Sequence, residues 1–136
     1  MNIFIKDIII KVIVPLIIGL LIYIFYGSSN IHINKIIQFD VVPFFNLPGW
    51  AVFNLPDLLW TFSWTNLMLI LWEFDLNWKD MLWFSTPLVL SILFEYAQKF
   101  GFIGGTFDTK DLFYYIFGYI IAILINLKNF TNEQKT

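Results

Sequence analysis

The chain has 136 residues, with 8 Lys+Arg against 10 Asp+Glu for a formal net charge of -2, and it is 59% hydrophobic, 21% aromatic and 13% charged. Soluble domains typically hold roughly 25% charged and 45–50% apolar residues, so this balance belongs to one membrane domain covering 1–136. Every basic residue is a lysine and none forms a stripe that could hold a phosphate backbone, which argues against a nucleic-acid partner; the lack of cysteine and the single His32 remove thiolate zinc sites, disulfides, a Cys nucleophile and any His-based dyad beyond that residue.

The first apolar stretch, Ile8 to Tyr26, has close to the roughly 20 residues that a helix needs to cross the hydrocarbon core. Lys6, Lys11, Gly27 and Ser29 also give it the outline of a signal peptide; an uncleaved span is expected. Residues 27–54 are less regular, with Pro43, Pro48, Gly49 and Trp50 among Ile31, Ile33, Ile36, Ile37, Phe39, Phe44 and Phe45. This segment is too interrupted to span and too hydrophobic for a solvated loop, so it is expected to lie in the interface or fold back over the bundle, with His32 as an interfacial polar residue. Three further apolar stretches follow at 55–74, 81–100 and 112–127. The expected architecture is an all-α integral membrane protein, a four-transmembrane-helix bundle with an interfacial segment between the first two spans. Most tryptophans fall near span ends, as in an aromatic belt.

Lysine counts orient the bundle. Lys6, Lys11, Lys79, Lys128 and Lys135 fall on one side and Lys35, Lys99 and Lys110 on the other, which places both termini in the cytoplasm. The abundance of Ile, Phe, Asn and Lys suits an AT-rich bacterial genome, hence a bacterial cytoplasmic (inner) membrane.

This topology brings Asp57, Glu95, Gln98, Asp108 and Asp111 to one external face. Asn54 with Asp57, Asn77 with Asp80 and Asp108 with Asp111 each place a cap residue and then an acid three positions later, a pattern that serves helix starts. Glu95 lies near a helix C-terminus, where the dipole disfavours an acid, and its local alternative is an ion pair with Lys99 four residues on. Helical spacing aligns Asp57, Thr61, Thr65 and Met68 on the second span, and Ser85, Leu88, Ile92, Glu95 and Gln98 or Lys99 on the third. On the fourth it aligns Asp111, Tyr115, Gly118, Ala122 and Asn126. Gly118 and Ala122 suit close helix packing, and Gly104 and Gly105 suit a tight reversal.

On these residues the C-terminal half, about 54 to 125, resembles the VanZ-like family of small bacterial membrane proteins. Glu95 and Gln98 match its acid and glutamine, Gly105 its turn glycine, Asp108 and Asp111 the acids opening the last span, and Gly118 the glycine within it. Leu55-Pro56-Asp57 with Phe62 matches an earlier segment. Gly104, Thr106, Tyr115, Leu58 and Thr61 stand where the family pattern has proline, arginine, asparagine, lysine and histidine. The resemblance implies a role at the cell envelope, where some members confer resistance to lipoglycopeptide antibiotics.

The expected function is non-enzymatic binding of a membrane lipid, a lipid-linked or amphiphilic ligand, or a membrane protein partner at the mouth lined by Asp57, Glu95, Gln98, Asp108 and Asp111. Asp108 and Asp111 could hold a divalent cation through oxygen ligands; no other cofactor is expected. The alternatives are an accessory subunit of a larger membrane complex and a carboxylate- and metal-dependent membrane hydrolase or transferase.

Overall fold

The structure, a computed structural model, describes residues 3–26, 46–73 and 78–133, all of them in helices or short connections. Residues 27–45, with His32 and most of the expected interfacial segment, lie outside the described residues, as do Asn77 and Lys135. Helix α1 runs from Ile3 to Tyr26 as an α-helix over Ile3–Ile8, a π-helix over Ile9–Ile13 and an α-helix over Val14–Tyr26. Pro15 accounts for the wide turn: it has no N–H to give Lys11, and its ring would press on that residue's carbonyl in an α turn. Val14 donates instead to the Ile9 carbonyl, five residues back.

Four helices follow: α2 (Gly49–Phe53), α3 (Leu55–Leu71), α4 (Trp78–Lys99) and α5 (Thr109–Glu133). Sequence patterning missed the five-residue α2, which the Pro48 carbonyl opens by accepting the amides of Ala51 and Val52. It buries Ala51 and exposes Trp50 and Phe53. Helix α3 ends before the expected residue 74, because Glu73 takes a left-handed φ of 50°. It packs against all the other helices and is the centre of the bundle.

Phe4–Tyr26 and Thr109–Leu127, with mean hydropathy 2.9 and 1.4, are long and apolar enough to cross a membrane. Only 22% and 17% of these windows are buried, unlike the enclosed core helix of a soluble domain. The interior is correspondingly polar. Among the described residues Thr61, Ser63, Thr65, Asn66 and Asn126 are completely buried, while Ile10, Leu20, Leu93, Phe94, Phe117 and Leu124 face outward. The hydroxyls of Thr61, Ser63 and Thr65 and the indole N–H of Trp64 have no hydrogen-bond partner.

The inward face of α5 is the expected one, with Gly118, Ala122 and Asn126 buried. At Gly118 an added Cβ would press on the Leu58 carbonyl oxygen and lie 3.1 Å from the Phe62 nitrogen, so glycine sets how closely α5 approaches α3. Helix α4 is rotated from the expected face: Phe84, Pro87, Ser91 and Glu95 are buried, and Ser85, Leu88 and Ile92 are only half-buried. Phe84 packs into the apolar cluster around Leu69, whereas the Ser85 and Thr86 hydroxyls are satisfied by the Leu82 carbonyl of their own helix and need no interior partner.

Candidate functional site

The join between α4 and α5 is built by two helix ends. Helix α4 stops at Gly101, whose φ of +72° lets the Phe102 amide reach back to the Ala97 carbonyl (2.9 Å) and its own amide to that of Gln98 (3.0 Å). The left-handed cap therefore falls at Gly101, a position that the sequence pattern does not single out. Gly105 also has positive φ (+135°), and the Gln98 side chain fills the space a Cβ would need; Gly104 does not have positive φ. Helix α5 opens with Asp108, whose carboxylate accepts the Lys110 amide at 2.9 Å as an N-cap. The Asp108 amide in turn donates to Glu95 Oε2 at 3.3 Å, so an acid of α4 satisfies the start of α5.

The local alternative for Glu95, an ion pair with Lys99, does not form: the Lys99 ammonium lies 4.9 Å over the Phe107 ring, and the one salt bridge among the described residues joins Lys11 and Asp7. Glu95 is instead 3% exposed and interacts with Asp57 and Asp111, the acids of α3 and α5. Tyr115, one turn after Asp111, donates its hydroxyl to Asp57 Oδ1 at 3.3 Å and also interacts with Glu95. Asn54 precedes α3 without capping it; its side-chain amide donates to Asp111 Oδ1 at 2.7 Å.

Of the expected site residues, Asp57, Glu95 and Asp111 converge; Gln98 is half-buried beside Gly105, and Asp108 is exposed, touching Glu95 through its backbone. Among the described residues no three acidic or histidine side chains are grouped to hold a metal ion. Of the residues that organise the cluster, Asn54 reads in the sequence as a cap and Tyr115 only as a member of the inward face of the last span. The three converging carboxylates receive few protein donors. A carboxylate has about four lone-pair sites, and the bonds above fill a minority, so the cluster is a net acceptor.

Two cavities open at this end. A groove of about 440 Å³ between α1 and α3 is lined by Leu16, Leu20, Tyr23, Pro56 and Trp60, with Asp57 as its acidic member. A second, of about 490 Å³, lies between α2 and the start of α5, lined by Trp50, Phe53, Asn54, Asp108, Lys110 and Tyr114.

The opposite end holds a polar network that sequence reasoning missed. Lys11 donates to Asp7 at 2.8 Å and to Asn126 Oδ1 at 2.9 Å, and Asn126 Nδ2 donates to Asn66 Oδ1 at 2.8 Å, tying α1, α5 and α3 together. The signal in the sequence was Asn66 and Asn126 within apolar helices, since polar groups there usually face a partner.

The chain matches no family model, no curated protein and no solved structure.

Proposed function

We propose that this is a multi-pass protein of a bacterial cytoplasmic membrane, with four spans formed by α1, α3, α4 and α5 and both termini in the cytoplasm. In this reading it is a divergent VanZ-like envelope protein that binds an amphiphile without chemically changing it. The observation that carries the reading is the convergence of Asp57, Glu95 and Asp111 around Tyr115, at the end of an apolar groove to which Asp57 itself belongs. A tail in the groove would place its head beside carboxylates that need donors, so the head carries hydroxyl or amino groups rather than a bare phosphate.

Further support comes from the inverted interior, because polar residues in membrane bundles face inward and the exposed faces here are apolar. Helix α3, at 17 residues, is about 26 Å long at about 1.5 Å per residue, close to a thin hydrocarbon core. The test is native mass spectrometry of the purified chain and its Glu95→Gln and Asp111→Asn variants, with lipoglycopeptide susceptibility of expressing cells as the second readout. Loss of co-purifying amphiphile in folded variants is expected. Unchanged adducts and unchanged susceptibility would remove the site assignment.

A further inference from the structure

The cavity between α2 and α5 differs in chemistry from the apolar groove beside it. It presents the Trp50 and Phe53 rings, 55% and 71% exposed, together with the Tyr114 ring, the Asp108 carboxylate, the Lys110 side chain and Asn54. Its volume of about 490 Å³ lies within the roughly 300–1,000 Å³ typical of small-molecule sites.

Charge narrows the ligand. Asp108 lines the cavity and the Asp57, Glu95 and Asp111 cluster lies next to it, which disfavours an anion; Lys110, in the same wall and without an ion pair, disfavours a cation. The polar wall offers both acceptors and donors. Asp108 Oδ2 is not used by the helix cap, and the Lys110 ammonium is a donor. Asn54 is only 6% exposed; its backbone carbonyl accepts the Leu58 amide and its side-chain amide is held by Asp111, which leaves the side-chain oxygen Oδ1 as its open acceptor. A neutral group that donates and accepts at neighbouring positions, and has an apolar face to lie on aromatic rings, satisfies all of these: a pyranose sugar. Asn54 lines this cavity and Pro56 and Asp57 line the groove, so both cavities border the start of α3.

We infer that the amphiphile is a neutral glycolipid, its sugar stacked on Trp50 and Phe53 and hydrogen-bonded to Asp108, Lys110 and Asn54, its acyl chain between α1 and α3. This rests on the amphiphile reading above, the sugar's remaining hydroxyls donating toward the Asp57, Glu95 and Asp111 carboxylates, and narrows that reading to a ligand class.

The full chain is reconstituted in nanodiscs doped with monoglucosyl diacylglycerol, with diacylglycerol lacking the sugar or with phosphatidylglycerol, and retained lipids are counted by native mass spectrometry. The glucosyl lipid is expected to be retained about tenfold over either other lipid, the ratio set by about 1.4 kcal/mol of head-group contacts. Trp50→Leu and Asp108→Asn, which spare the buried core, are expected to abolish that preference, and the lipid-facing Leu93→Ala to leave it unchanged. Equal retention of glucosylated and plain diacylglycerol overturns the sugar assignment while leaving the amphiphile reading intact. Retention of none of the lipids overturns both. Binding of methyl glucoside as tight as that of the glucosyl lipid overturns the lipid-linked source, and a preference that survives Trp50→Leu overturns the stacking site.

Discussion

Replacing Asn126 with leucine tests whether the polar network at the Lys11 end holds the bundle together. Asn126 is completely buried, accepts from Lys11 at 2.9 Å, donates to Asn66 at 2.8 Å and donates to the Ala122 carbonyl at 2.7 Å. Leucine fills a similar volume but makes none of these bonds. The Asn66 side-chain oxygen, on a residue with no exposed surface, is then left without a donor, at a cost of about 1–3 kcal/mol. Lys11 keeps Asp7 and is 19% exposed, so losing its second partner costs less, about 0.6 kcal/mol by the average for interhelical hydrogen bonds in membranes. The expected destabilisation is about 2–3 kcal/mol. Unfolding in mixed micelles titrated with sodium dodecyl sulfate, followed by far-ultraviolet circular dichroism, measures it. The pair Asn66→Leu with Asn126→Leu removes both partners together, so the double variant should recover part of what each single one loses. A single-variant loss within about 0.5 kcal/mol of zero, or a double-variant loss equal to the sum of the singles, would refute the network's structural role.

Gly118→Ala places a Cβ against the backbone at Leu58 and Phe62 and should cost about 1–3 kcal/mol in the same titration; a wild-type midpoint would mean that α3 and α5 do not pack closely there. Thr61→Val and Thr65→Val replace completely buried hydroxyls that have no partner with groups of the same shape, and should stabilise by about 1 kcal/mol each. A loss of stability on either substitution would show that the hydroxyl is bonded after all. Gly101→Ala forces a Cβ into a left-handed residue with φ +72°, so a loss of about 1 kcal/mol is expected; melting of the purified variant with no shift in midpoint would contradict this.

The four long helices were legible, unlike the five-residue α2, because apolar runs of about 20 residues are a strong signal, and the face of α5 was legible because small and polar residues repeat on it at i, i+3 or i+4. The face of α4 differs from the expected one by about one position. Ser85 reads as an interior residue in the sequence, yet its hydroxyl bonds to its own helix, while the large Phe84 occupies the core position. Asn54 and Lys11 show a different limit. Each reads in the sequence as having a sufficient local role, a helix cap in one case and a charged flank in the other, whereas the structure uses both in contacts 57 and 115 residues away in sequence. The π turn that accommodates Pro15 is a further step that periodicity of 3.6 does not encode. The convergence of Asp57 with Glu95 and Asp111 was legible from the order of the helices, because the start of α3, the end of α4 and the start of α5 fall at the same end of the bundle. What organises those acids was legible only in part: helical spacing puts Tyr115 on the inward face below Asp111, but its bond to Asp57 of α3 depends on how α5 packs on α3.

Glu95 is the residue that local chemistry explains least, and the structure shows what it does at the helix join. Its carboxylate accepts the Asp108 amide that α5 would otherwise leave unpaired. That capping role alone does not call for a carboxylate. The side-chain oxygen of glutamine would accept the same N–H at the same place, without the repulsion that Glu95 has with Asp57 and Asp111. Glu95→Gln therefore separates the two roles. If capping is the whole purpose, the variant keeps its ligand and is as stable as the native chain or more so. If the charge serves a ligand, the variant is at least as stable but loses amphiphile retention, the pattern of stability given up for function. Thermal unfolding and native mass spectrometry on one preparation read both quantities, and only a stable variant without its amphiphile fits the proposed site.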